Sequence, residues 1–425
     1  MLVLYDLAIK IYSFLIWLAA FNNSKARAWL RGRKNLLQYI EKEIEDTSPK
    51  IWFHFASLGE FEQGRSLIEN LKKDNPDKKI ILTFFSPSGY EIRKNYASAD
   101  YVFYLPVDSK RNAKTFIELV NPEIAIFTKY EYWYYYFKEL KSKDIPLYII
   151  SAIFREQQPF FKWYGKLHRK MLFCVTHFFV QNQQSLDLLK SLTIKNATLS
   201  GDTRFDRVYE NALKPNHIPK IQSFCENSPV LIAGSSWLPD EKLLAALPSK
   251  YPGWKFIIAP HEVGENRLQE IEELFPGSIR FSNLSEVVLA DQTQNSNPKF
   301  LIIDNMGMLS SLYQYAEIAY IGGGFGAGIH NTLEAAAFGL PVIFGPNYSK
   351  FKEAHDLINL GAAFSINNSQ QLLERVEGLQ EESYRNSCGL KAREYVENQT
   401  GATRIILKHI SHQSNNRIYF KCSKL

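Results

Sequence analysis

A chain of 425 residues is too long for one ordinary hydrophobic core and predicts two domains. Hydrophobic residues at 45% and charged residues at 22% exclude a disordered chain. The net charge of +6 comes with no extended basic stripe and so excludes a nucleic-acid partner, while four scattered cysteines with no CxxC pair exclude a disulfide framework and a zinc site.

The first twenty-one residues are mostly apolar. Read as a helix, they place Asp6, Lys10 and Ser13 on one stripe and Leu, Ile, Phe, Trp and Tyr on the rest. Lys25, Arg27, Arg31, Arg33 and Lys34 follow, with no acid between Asn22 and Lys34. A signal peptide carries its positive charge first. The reverse order predicts that residues 1–35 associate with an anionic leaflet, basic side cytoplasmic. The plain alternative is an amphipathic core helix with a solvated basic turn.

From Ile51 onward short apolar runs alternate with amphipathic stretches. Strands are predicted at Ile51–Ala56, Lys79–Phe85, Tyr101–Leu105, Glu123–Thr128, Leu147–Ser151 and Thr176–Val180. The rhythm restarts at Val230–Ala233 and runs through Lys255–Ala259, Phe300–Asp304, Ile318–Ile321, Val342–Phe344 and Ala362–Ile366. Such alternation predicts an α/β fold: two Rossmann-like, doubly wound parallel-sheet domains facing a cleft. Asn211–Pro229 holds three prolines and weak periodicity. The expected division is therefore 36–210, a linker over 211–228, a second domain over 229–410 and a polar, frayed tail over 411–425.

Ligands of doubly wound sheets sit at the carboxyl ends of the strands, so the loops there hold the candidates. Glu60 follows the first strand, at a helix start. It is either a favourable first-turn carboxylate or a base. Glu131 follows the fourth strand in an aromatic loop, and is either a paired surface acid or the second member of a carboxylate pair. In the second half, Gly234-Ser235-Ser236 can hold a phosphate through N–H and hydroxyl donors, and His261 can donate to one.

Ala316 to Ala354 is the most telling stretch. A strand, Ile318–Ile321, leads into five glycines within seven residues, Gly322, Gly323, Gly324, Gly326 and Gly328. His330-Asn331-Thr332 and an alanine-rich helix follow. Missing Cβ atoms let a ligand approach the backbone, and helix-start N–H groups favour an anion. Glu334, one turn in, can accept two hydroxyl hydrogen bonds, as from a ribose. The pattern predicts a nucleotide site. No D-x-D, HExxH, P-loop or GxSxG motif occurs, which points to a metal-free mechanism and away from an α/β hydrolase.

HFASLGEFEQG, KYEYW, GSSW, APHE and GGGFGAGIHNTLEAAAFGLPVIFGP, in this order, resemble the 3-deoxy-D-manno-octulosonic acid (Kdo) transferases of lipopolysaccharide synthesis, glycosyltransferases of the GT-B architecture. The resemblance implies transfer of Kdo from CMP-Kdo, with inversion, to a lipid A precursor (lipid IVA) at the cytoplasmic face of the inner membrane, with no cofactor. It implies that Glu60, in S-x-G-E with Ser57 and Gly59 on the acceptor side, is the general base, and that Glu131 is a second required acid. Gly234, Ser235, Gly324, Gly326, His330, Asn331 and Glu334 then resemble the CMP-binding surface, with Glu353 near the donor. One departure is Pro260-His261-Glu262 where the family has Pro-Arg-His. The alternatives are a UDP-sugar-dependent GT-B enzyme acting on another membrane lipid, and a non-catalytic nucleotide-binding membrane module.

Overall fold

The computed structural model describes residues 2–284 and 298–422. The chain divides into two compact units, Met1–Arg207 with Gly401–Leu425, and Val208–Thr400.

In the first unit seven strands form one parallel sheet: β1 (Lys50–Phe55), β2 (Lys79–Phe84), β3 (Tyr101–Tyr104), β4 (Pro122–Thr128), β5 (Leu147–Ala152), β6 (His177–Val180) and β7 (Ala197–Leu199). Their order is β3-β2-β1-β4-β5-β6-β7. Every residue of β1 is buried, as a parallel strand covered on both faces must be. Trp52, Phe116, Phe127 and Tyr136 pack on one face. Phe53, Phe55, Phe61 and Leu67 pack on the other. The strand order reverses at β1 and β4, so the loops after these two strands flank the point where such sheets bind ligands.

The second unit repeats the plan with β8 (Val230–Ser236), β9 (Lys255–Pro260), β10 (Ile279–Arg280), β11 (Phe300–Ile302), β12 (Ile318–Ile321), β13 (Val342–Phe344) and β14 (Ala363–Ser365). The order is β10-β11-β9-β8-β12-β13-β14, and its reversal lies at β8 and β12. Again all pairings are parallel.

Two short strands were missed in the sequence, and the linker, the end of the second domain and the tail need correction. The short edge strands β7 and β10 were not foreseen, because runs of three and two residues carry no readable period. Residues 211–228 are not a free linker. Helices Thr203–Leu213 and Pro219–Cys225 occupy most of them, Pro219 opens the second helix, and Ile221 and Phe224 are buried. The second unit also ends at 400 rather than 410. A last helix, Ala402–Cys422, sets Ile406 and Ile410 into the core of the first unit. Asp206 fixes its start by accepting the N–H groups of Gly401 and Thr403. That helix takes in most of the expected tail, of which residues 423–425 lie outside the described residues.

At the N-terminus, α1 (Leu2–Ala19) buries no residue. Tyr5, Asp6, Ile9, Ser13 and Ile16 are half-buried on one side, whereas Val3, Leu7, Phe14, Leu15, Trp17 and Phe21 are exposed. Asp6 accepts the hydroxyl hydrogen of Tyr135 at 2.7 Å. The Tyr5 hydroxyl donates to Asp108, whose carboxylate also takes the N–H groups of Tyr135 and Tyr136. Tyr5 and Asp6 thus dock α1 on the first unit and leave much of its apolar side exposed, while Lys10 is exposed and Ser13 donates to the Ile9 carbonyl of its own helix. Asn23 caps α2 (Ser24–Arg31) by accepting from the N–H groups of Lys25 and Ala26.

Candidate active site

Strand β1 delivers its chain into a helix, Leu58–Asp74, whose first turn carries Glu60. The carboxylate reaches back and accepts the Ala56 N–H at 2.6 Å. Burial, and after it the charge of Glu131, raise the Glu60 carboxyl to about 7, against the opposing pull of the Ala56 N–H and of Lys129. A carboxyl that titrates near neutrality is suited to accept a proton in a reaction run at pH 7. Ser57, half-buried at the helix N-cap, makes no side-chain capping bond. Gly59 is exposed, and a Cβ there would meet nothing nearer than Ser57 Oγ at 4.0 Å.

Glu131 follows β4, the neighbour of β1. Its Oε2 is 3.1 Å from His54 Nε2 and accepts the Trp133 indole N–H at 2.9 Å. Between β4 and Glu131 the chain turns at Lys129, whose backbone is left-handed at φ 51°. The two acids therefore stand just past the ends of the two strands that flank the reversal point of the first sheet, Glu60 in a helix's first turn and Glu131 in a loop. His54 and Trp133 were not singled out in the sequence. His54 lies inside an apolar strand, where a histidine reads as core, and Trp133 is one of many aromatic residues in its loop.

The basic cluster divides. Lys25, Arg27 and Arg31 are exposed, and Arg27 and Arg31 line a surface hollow with Tyr90, Glu91 and Tyr104. Arg33 does not belong with them. Its guanidinium turns inward, donates to the carbonyl oxygens of Leu105, Trp29 and Phe85 at 3.0, 3.3 and 2.8 Å, and lies 3.9 Å from the Trp29 ring centroid. Its expected place on the lipid-facing surface is corrected to a packing role.

In the second unit three loops converge at the reversal between β8 and β12. Gly322 donates its N–H to the Gly234 carbonyl, and a Cβ on Gly322 would fall 2.3 Å from the Ser235 oxygen. A Cβ on Gly324 would fall 2.6 Å from Gly345 Cα, and one on Gly234 2.2 Å from the Tyr313 hydroxyl. Gly234 and Gly324 are enclosed by protein, so these two glycines let chain pack on chain, where direct contact with a ligand was expected. Ser235, left-handed at φ 53°, and the exposed Gly326 are the open positions.

Asp240 ties these loops together. Its buried carboxylate accepts from the N–H groups of Trp237 and Gly323, both at 2.9 Å, and from the Tyr320 hydroxyl at 2.8 Å. Its spacing three residues after Trp237, at a helix start, is the signal that could have found it. His261 is exposed and stacks on Trp237 and on His330, with centroids 4.8 and 4.4 Å apart. Burial, then His261, lower the His330 imidazole to about 4. Asn331 donates to Glu334 Oε1 at 3.0 Å and accepts the Leu333 N–H at 3.2 Å. The helix that follows has only five residues, Leu333–Ala337. Glu353 is buried in the first turn of the helix Lys352–Asn359. Among the described residues no three His, Cys, Asp or Glu side chains are grouped to hold a metal ion.

Residues 30–207 match the family model of 3-deoxy-D-manno-octulosonic-acid transferase (kdotransferase). A 3-deoxy-D-manno-octulosonic acid transferase of Rickettsia felis is 28% identical over 363 residues, 82% of this chain and 74% of that one. The protein of that name from Haemophilus influenzae is 26% identical over 348 residues, 77% of this chain and 78% of its own. Among solved structures, UDP-GlcNAc 2-epimerase from Neisseria meningitidis bound to UDP-GlcNAc superposes with a TM-score of 0.59 at 18% identity, over 85% of this chain and 100% of that one. A glycosyltransferase from Rickettsia africae gives 0.55 at 14% identity, over 85% and 98%. With two doubly wound sheets, acids at the reversal of one and a glycine loop at the reversal of the other, the chain is a glycosyltransferase of the GT-B fold, and its residues 30–207 match the 3-deoxy-D-manno-octulosonic-acid transferase family.

Proposed function

We propose that this enzyme transfers Kdo from CMP-Kdo to a lipid A precursor, lipid IVA, with inversion and without a metal ion or cofactor, at the cytoplasmic face of the inner membrane. The names of the relatives support the sugar. The observation that carries the chemistry is Glu60, a carboxyl raised to about 7 in the first turn of the helix that follows β1. In the reaction the acceptor hydroxyl oxygen bonds to the anomeric carbon while the bond from that carbon to the CMP phosphate breaks. The hydroxyl proton passes to Glu60, and the bonding pair leaves with CMP. Attack from the face opposite the leaving group inverts the anomeric carbon.

On the donor side, Ser235, the backbone at Gly326 and the Asn331–Glu334 pair are the polar groups open to a nucleotide, and the exposed His261 is a donor for its phosphate. On the acceptor side, Lys25, Arg27 and Arg31 suit the anionic leaflet and a phosphorylated lipid. The apolar side of α1, left exposed beside them, suits the interface.

The test is transfer from radiolabelled CMP-Kdo to lipid IVA in vesicles, with chelator present. Lipid-linked Kdo of inverted configuration is expected, and Glu60→Ala should lose on the order of 10²–10⁴ in rate while remaining folded. Near-normal turnover in that variant removes Glu60 from the role. Binding of UDP in preference to CMP would replace the donor with a UDP-sugar.

A further inference from the structure

Behind Glu131 runs a chain of hydrogen bonds that the reaction as described does not use. His54 and Thr83 are paired across β1 and β2, and Trp52 shares the His54 face of β1, two residues away. The Trp52 indole N–H donates to Thr83 Oγ1 at 2.8 Å. His54 Nδ1 is 2.9 Å from the same oxygen, and His54 Nε2 is 3.1 Å from Glu131 Oε2. All three side chains are fully buried.

The hydrogen positions follow from what each group can do. An ionised carboxylate only accepts, so Nε2 of a neutral His54 carries the hydrogen, and Nδ1 must accept. Thr83 already accepts from Trp52, so its own hydrogen is free to go to Nδ1, the nearer of its two acceptors; the Phe53 carbonyl is at 3.3 Å. The chain then runs one way, Trp52 to Thr83 to His54 to Glu131. His54 and Trp133 both donate to Oε2, so both fix the same end of the carboxylate.

We propose that His54 is a positioning residue that holds the Glu131 carboxylate oriented beside Glu60, with Thr83 and Trp52 fixing which ring nitrogen of His54 bears the hydrogen. The inference rests on the reading of Glu60 as the base. The charged and titratable groups in play are few. Glu60 feels Glu131 and Lys129, and Glu131 in turn faces His54 and acts on Tyr12 from α1. Without the His54 donor, the Glu131 carboxylate is no longer held in place and swings away. That change relieves the repulsion on Glu60, which then ionises at lower pH and becomes a weaker base.

The experiment is the pH profile of kcat/KM for transfer from CMP-Kdo to lipid acceptor in vesicles, with wild type, His54→Phe, His54→Gln, Thr83→Val and Glu60→Gln compared. His54→Phe keeps the ring and removes the donor. Its acidic limb should move down by about one pH unit, with a tenfold or greater loss at the plateau. His54→Gln, whose amide nitrogen can stand in for Nε2, should return the limb toward wild type. Thr83→Val should shift it in the same direction by less, and serves if His54→Phe does not fold. A limb that stays at the wild-type position in both His54→Phe and Thr83→Val, whatever their rates, overturns the positioning role and leaves the base intact if Glu60→Gln is inactive. If Glu60→Gln keeps the wild-type rate and limb, the base reading itself fails, and the role of His54 with it.

Discussion

The indole Nε1 of Trp237 donates to Nε2 of His330 at 3.1 Å, joining the loop after β8 to the loop after β12. The bond fixes His330 as the neutral ring with its hydrogen on Nδ1. Neutrality is reinforced by burial and by His261, which hold the imidazole near 4. Trp237→Phe would leave that acceptor unpaired, at a cost of about 1–3 kcal/mol. Because both loops belong to the proposed donor surface, the loss should appear as CMP affinity weakened by roughly tenfold, read by calorimetry. The sign in pH is also fixed. The unfolded chain protonates His330 below about 6.5 and the folded chain only below about 4, so stability contributed here falls as pH drops through that window. His330→Asn should remove that part of the acid sensitivity in thermal melts.

Glu60 gives the opposite sign. Its carboxyl is raised to about 7 in the fold, from an ordinary 4.5. Between these values the folded chain binds more protons than the unfolded one, so stability falls as pH rises, and above 7 the full penalty is present. Glu60→Gln should therefore melt higher than wild type at pH 8, by on the order of 1–3 kcal/mol with partial solvent access allowed for, and the two should coincide near pH 4.5. A stabilised but inactive variant is what an acid held against its preference predicts. Equal melting temperatures at pH 8 would show that the carboxyl is not raised.

Strands were legible where they were long and continuously apolar. Ile51–Phe55 and Val230–Ala233 stand out because both faces of a parallel sheet are covered. β7 and β10 were not, being too short to show a period. The stretches that carry Glu60, Glu131 and the glycines could be read because their place follows from strand order. What could not be read is which polar residues point into the protein. His54 looks ordinary in the sequence, and Asp240 shows there only as a helix-start acid; the importance of both comes from partners far along the chain: Gly323 is 83 residues from Asp240 and Glu131 is 77 from His54. The return of Ile406 and Ile410 to the first unit is illegible for the same reason, since an amphipathic helix does not name the sheet it will cover.

Arg33 separates charge from packing. Burial lowers its guanidinium to about 9, and its three carbonyl partners come from the end of α2 and from the loops after β2 and β3. Arg33→Met should cost about 3 kcal/mol or more in chemical denaturation, because it strips several charge-assisted bonds at once. Arg33→Lys should recover only part, as an ammonium lacks the planar fork. Arg27→Glu with Arg31→Glu should leave the midpoint within about 0.5 kcal/mol of wild type, as exposed positions do.

Those same exposed arginines give the membrane prediction. The docked side of α1 is held by Tyr5 to Asp108 and by Tyr135 to Asp6, and its other side presents Val3, Leu7, Phe14, Leu15, Trp17 and Phe21. Burying that apolar side in a leaflet and placing Arg27 and Arg31 at its anionic surface adds two independent contributions, the charged one about 1 kcal/mol per residue. Deletion of residues 1–21 should release the protein from vesicles of any composition. The Arg27→Glu, Arg31→Glu pair should weaken flotation only with vesicles that contain anionic lipid, and raised salt should reproduce that effect in the wild type. Arg33→Lys should float as wild type does. Flotation of the truncated chain with neutral vesicles would remove α1 from the role, and equal loss of the double variant from neutral and anionic vesicles would show that the two arginines act by packing and not by charge.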